Sequence, residues 1–107
     1  MTKFIIVYFG GDRPASEKEG QIHMAKYMQW LGSLGERAVS PANPLKNTHT
    51  LTANAKPQVA SESGMSGYTI VETETLEEAV ALAQGCPFLE LGGTLEVSEL
   101  IRMPGMN

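Results

Sequence analysis

From Gly67 to Val97 the chain reads strand, helix, strand, and this run constrains the fold more than any other. Gly67-Tyr68-Thr69-Ile70-Val71-Glu72 has the β-branched and aromatic alternation of a strand. Thr75-Leu76-Glu77-Glu78 then opens a helix as a capping box: the threonine hydroxyl accepts from the amide three residues on, and the glutamate reaches back. Leu76, Ala79, Val80 and Ala83 share one face of that helix, and Glu77, Glu78 and Gln84 lie away from it. Gly85-Cys86-Pro87 closes it. Gly92-Gly93 permits a tight turn into a last strand from about Thr94 to Ile101, and Pro104-Gly105 ends the order.

The N-terminal half repeats the pattern. Lys3 to Phe9 is a continuous apolar run, the composition of a buried central strand. Gly10-Gly11-Asp12-Arg13-Pro14 ends it. Ser16 can cap a helix with Glu17 and Glu19 in its first turn, where the positive helix end favours acids. Gly20 interrupts that turn, so the regular helix is expected to start nearer Gln21. At helical spacing His23, Tyr27, Trp30 and Leu34 form a narrow stripe, with Met24, Met28 and Leu31 extending it, and Gly35 suits the closing position. Ala38 to Leu45 carries Pro41 and Pro44, which restricts it to an edge strand or an extended loop. Thr48 to Thr52 and Gln58 to Ala60 suggest a small hairpin-like ribbon, and Ser61 to Ser66 a flexible connection. Strand, helix, strand, insertion, strand, helix, strand gives a ferredoxin-like βαββαβ α+β domain, a four-stranded antiparallel sheet with both helices on one face. The uncovered face would expose too much apolar surface, so pairing with a second copy as a homodimer is expected.

A chain of 107 residues, 42% of them apolar, is one folded domain, expected over residues 1–102 with a tail at 103–107. Net charge is −4 and the basic residues are scattered, which argues against nucleic acid or an anionic membrane as partner. No apolar run approaches the ~20 residues that span a bilayer. The N-terminal apolar run is too short and β-branched for a signal peptide. Cys86 stands alone, so no internal disulfide framework forms, and a cytoplasmic location is expected.

Several runs resemble the YCII-related proteins of the DGPF type. Tyr68-Thr69-Ile70-Val71-Glu72, Leu76-Glu77-Glu78-Ala79, Gly85-Cys86-Pro87 and Gly92 to Val97 look like that family's C-terminal half. Phe4 to Gly10, His23-Met24-x-x-Tyr27-Met28-x-Trp30, Leu34-Gly35 and Pro44-Leu45 are similar to its N-terminal half. The resemblance implies a ferredoxin-like fold that dimerises into an α/β-barrel-like assembly, with clefts between sheet and helix. For some relatives in the wider group it implies lyase or dehalogenase-type chemistry with a His and an Asp as the working pair, and His23 matches that histidine. The chain departs from the pattern twice. Lys56 to Gly67 holds no Asp-Gly-Pro-Phe run, and Val39 through Ser61 holds no Asp or Glu.

The side chains themselves make His23 the first candidate for catalysis, since an imidazole takes up and releases protons near neutral pH. Tyr27 and Trp30 on the same stripe could line a ligand pocket. The contrasting reading is a histidine at the edge of an apolar helix face, bonded to backbone or water. His49 could approach His23 and bind ligand. With two His and one Cys, a complete metal site would need carboxylates or a second subunit, so no metal is assigned. Asp12, after the first strand, could orient His23, or simply serve the turn. Gly10-Gly11-Asp12-Arg13 lacks dinucleotide-loop spacing, and no cofactor is expected. Cys86 follows a helix C-terminus, which disfavours a thiolate. Glu90 could act as a cross-subunit partner or as a solvated acid. Met24 and Met28 read as core filler. Three function classes remain: a small-molecule enzyme of isomerase, lyase or dehalogenase type centred on His23, a non-catalytic ligand-binding or regulatory domain, and a structural dimerisation module.

Overall fold

A computed structural model describes residues 1–53 and 63–102. Strand β1 (Thr2–Gly10) leads through Ser16 into helix α1 (Glu17–Leu34), and a short 3₁₀ turn (Gly35–Arg37) leads into β2 (Ala38–Pro44). Strand β3 (Met65–Thr73), helix α2 (Leu76–Gln84), a second 3₁₀ turn (Pro87–Leu91) and β4 (Gly93–Glu99) complete the order. The strands form one antiparallel sheet in the order β2-β3-β1-β4. This is the expected ferredoxin-like α+β arrangement.

The apolar run of β1 takes a central position, paired along its length with β3 and β4. The proline-bearing β2 takes an edge, and its register with β3 breaks twice, between Ala38 and Ser40 and between Ser40 and Asn43. Proline has no N–H to give to a ladder, so the edge tolerates it where the centre would not. One break brings the Pro41 carbonyl to the Thr69 hydroxyl, which donates to it at 2.6 Å.

The core lies between the sheet and both helices. Phe4, Ile6 and Val71 project from the sheet, Trp30, Leu31 and Leu34 from α1, and Ala79 and Ala83 from α2. Trp30 ties the two helices together by donating its indole N–H to the Leu82 carbonyl at 3.0 Å. Both N-caps form: Ser16 accepts from the Glu19 amide and Thr75 from the Glu78 amide. Among the described residues no helix is long and apolar enough to cross a membrane.

Several expectations are corrected. Helix α1 starts at Glu17, not near Gln21, because Ser16 caps it and the Glu19 carboxylate also accepts from the Ala15 amide at 3.1 Å. These bonds offset the helix penalty of Gly20, about 1 kcal/mol against alanine. Strand β3 begins at Met65, two residues before the expected start, and β4 stops at Glu99. Met24 and Met28 are exposed rather than core filler: they lie outside the core cluster and border an open cleft instead. Of the ribbon, Thr50 forms an isolated bridge while Thr48 and His49 are irregular; Gln58 to Ala60 and the 103–107 tail lie outside the described residues.

Candidate functional site

A cleft of about 390 Å³ opens where one end of the sheet meets α1. Helix α1 lines it with His23, Met24, Tyr27 and Met28, β1 with Tyr8, and the turn after α2 with Phe88. Among the described residues, no carboxylate, lysine or arginine lines it. Gly67 forms part of the strand wall, and its bare backbone is required there: a Cβ would come within 3.0 Å of the Asn43 carbonyl and 3.5 Å of the Tyr8 ring.

The aromatic rings are ordered against one another. Tyr8 meets Tyr27 edge to face at a centroid distance of 6.1 Å, and Phe88 stacks on Tyr8 at 5.4 Å. The His23 ring lies nearly parallel to Tyr27, 6.5 Å away and inclined by 14°. Trp30 stacks on Tyr27 at 5.9 Å from the core side. The hydroxyls form a chain: the Tyr27 and Tyr8 oxygens are 2.9 Å apart, Tyr8 also bonds the Thr69 hydroxyl, and Thr69 donates to the Pro41 carbonyl. Burial holds the Tyr8 phenol protonated well above the ordinary tyrosine range, because a phenolate there would lose its hydration.

The profile of the YCII-related domain family matches residues 4–104. The chain belongs to that family. Among curated proteins, none matches it. A solved structure with the same fold is 5-chloro-2-hydroxyhydroquinone dehydrochlorinase from Burkholderia phenoliruptrix, in complex with 2,5-dihydroxybenzoquinone. The two share 20% sequence identity over 98% of this chain and 99% of the other, with a TM-score of 0.58.

Within this YCII-related domain the other candidates separate. His23 and Tyr27 share the cleft. Trp30 is buried behind Tyr27, with its N–H committed to Leu82, and supports the wall rather than forming it. Asp12 lies outside the lining; its amide donates to the Leu91 carbonyl at 2.8 Å and its carboxylate packs beside Gly92. His49 is exposed and away from the lining, its Nδ1–H donating to the Asn47 carbonyl at 2.8 Å. Glu90 pairs with Lys26 of the same chain at 3.1 Å, joining the second 3₁₀ turn to α1, with both side chains exposed. Such a pair is worth a few tenths of a kcal/mol to about 1. Cys86 is buried and its thiol is pushed up by desolvation, which suppresses the thiolate. Among the described residues no three His, Cys, Asp or Glu side chains gather as metal ligands.

Sequence reasoning missed Tyr8, Thr69 and Phe88. Tyr8 is hidden within an apolar strand run, although a phenol on an inward strand position always needs a partner for its hydroxyl. Thr69 sits four residues into β3 and looks like any β-branched strand residue. The signal for Phe88 lies in Gly11 and Gly93, where a Cβ would come within 2.7 Å and 2.2 Å of its ring.

Proposed function

We propose that this YCII-related protein is a small-molecule-binding homodimer whose cleft carries out proton transfer of isomerase, lyase or dehalogenase type, with His23 moving the proton. The observation that carries the reading is the cleft itself: an imidazole and two phenols meet in a space of about 390 Å³ with otherwise mainly apolar walls. That volume suits a compact metabolite. An imidazole facing such a ligand can remove an acidic C–H proton and return it elsewhere, as isomerisation needs, or leave it removed while a halide departs, as elimination of hydrogen halide needs. The dehydrochlorinase that shares the fold makes the last reaction a natural choice for the first assay. Tyr27 supplies a flat wall and Trp30 holds it from behind. Asp12 and His49 stand too far out of the lining to be assigned more than an outer role. Pairing is proposed through the sheet face opposite the helices, and the single buried Cys86 suits a reducing cytoplasm.

A non-catalytic ligand-binding role is the second reading. It is favoured by the absence of any carboxylate from the described lining of the cleft; Glu19 and Glu90 border His23 in a separate recess instead.

The test is chloride release from chlorinated dihydroxybenzenes, together with exchange of acidic C–H protons of small carbonyl compounds in heavy water. His23→Gln is expected to lower turnover by roughly 100-fold or more, the usual contribution of a positioned acid–base group. Turnover unchanged in that variant overturns the role of His23. Binding without turnover in the wild type selects the second reading.

A further inference from the structure

The hydroxyl chain has a direction, and the direction dictates what the cleft recognises. A carbonyl oxygen has no proton to give, so in the 2.6 Å contact between Thr69 and Pro41 the threonine donates. Its single proton is then committed, and in the next contact Thr69 must accept from Tyr8. The Tyr8 proton is committed in turn, so at 2.9 Å Tyr8 accepts from Tyr27. Three hydroxyls thus point their protons from the cleft wall into the sheet, anchored on one edge-strand carbonyl. Tyr27, at the outer end, spends its only proton on the protein and keeps acceptor capacity on its oxygen. A ligand group that meets that oxygen from the cleft has to donate.

The surroundings narrow the choice further. No lysine or arginine is among the described lining residues, so a carboxylate or phosphate would find at most the His23 imidazole to offset its charge. Met24, Met28 and Phe88 offer apolar, polarisable surface, and methionine adapts to a planar ligand without fixed geometry. We propose that the cleft selects an uncharged, single-ring or similarly compact planar molecule bearing a hydroxyl group, a phenol or enol, which donates its O–H to Tyr27. Tyr27 is then the specificity-determining residue, and Tyr8 and Thr69 are positioning residues that keep it an acceptor. The inference rests on the cleft being the working site but needs no turnover.

Binding of three probes to the intact protein, measured by ligand-observed NMR titration, decides it. The probes are resorcinol, its dimethyl ether and benzoate. Resorcinol is expected to bind about fivefold or more tighter than the ether, the worth of one hydrogen bond of roughly 1 kcal/mol, and tighter than benzoate. Tyr27→Phe removes the acceptor and should reduce the resorcinol-to-ether ratio to below about twofold. Thr69→Val removes the anchor, so Tyr8 and Tyr27 can turn their protons outward and the same ratio should fall with both phenols still in place. Amide spectra report whether each variant is folded, and the wild-type ratio stands without either variant. The ratio is read without turnover, so recognition failure and catalytic failure are read separately. Equal binding of resorcinol and ether, benzoate as the tightest probe, no binding of resorcinol, or a preference unchanged in both folded variants overturns the proposal.

Discussion

Tyr8 shows how one buried hydroxyl can serve both stability and recognition. Its ring belongs to the core cluster, its oxygen joins Tyr27 to Thr69, and its face carries Phe88. The same burial that makes Tyr8 a durable link also makes its ionisation destabilising. The unfolded phenol releases its proton near pH 10, whereas the folded one holds it well beyond that. Between those two values the native state binds more protons than the unfolded state, so the contribution is intact below about pH 10 and lost as pH rises above it, by up to about 1.4 kcal/mol per pH unit. Urea unfolding between pH 8 and 11.5 should therefore show stability falling above about pH 10 in the wild type, and falling less steeply in Tyr8→Phe. Parallel curves would show that Tyr8 is not the group responsible. At this scale the sequence was partly legible. His23 and Tyr27 could be found because helical spacing puts them on one stripe, but the partners of Tyr27 come from β1 and β3, sixty-one residues apart from each other. Helical periodicity relates only residues of the same helix; that pairing depends on sheet register. His49 and Asp12 drew attention as residue types, and the geometry leaves them outside because their loops are held elsewhere, by Asn47 and by Leu91.

Elements were more legible than contacts. The capping box at Thr75, the apolar run of β1 and the prolines of β2 each have a local physical meaning, and each element lies where that meaning puts it. The helix propensity of Gly20 alone places the start of α1 too late, because the two bonds made by Ser16 and Glu19 hold its first turn. The second 3₁₀ turn, Pro87–Leu91, was unreadable, since its conformation depends on Phe88 filling a slot over the bare backbone of Gly11 and Gly93. Gly93 has no need of an unusual backbone angle, so its role there is steric. An alanine Cβ would lie 2.2 Å from the ring edge, and the ring has to leave its stack on Tyr8 to make room. Gly93→Ala should therefore cost about 1–3 kcal/mol, the usual range for overpacking. In a Phe88→Ala background the same change should cost little, giving a coupling of at least about 1 kcal/mol in a double-mutant cycle by chemical denaturation. Additive costs would show that the ring and the glycine do not share that space.

On the scale of the whole molecule, the sheet divides two tasks. The helical side holds the core and the cleft. On the other side β1 presents Ile5, Val7 and Phe9, and β3 presents Tyr68 and Ile70, with Ile5 directly opposite Ile70 and Val7 opposite Tyr68. Lys3 faces Glu72 at one end of this strip, and Glu96 lies beside Val7 on β4. A two-fold axis through such a strip would bury its apolar centre and bring unlike charges of the two copies within reach at the rim, which a self-complementary interface requires. A stable pair needs about 800 Å² from each copy, within reach of a four-stranded sheet face. The proposed homodimer is tested by sedimentation velocity at micromolar concentration. The wild type should run at twice the mass of the chain, and Val7→Lys, which sets a long charged side chain beside Glu96 within the apolar strip, should run as a monomer with unchanged helical content. A monomeric wild type overturns the pairing. Tyr8 and Val7 are neighbours in the chain whose side chains leave the sheet on opposite faces, so a change that splits the dimer leaves the hydroxyl chain untouched. The Val7→Lys monomer should accordingly keep the preference for resorcinol over its ether. Loss of that preference on dissociation would mean that the second copy completes the cleft.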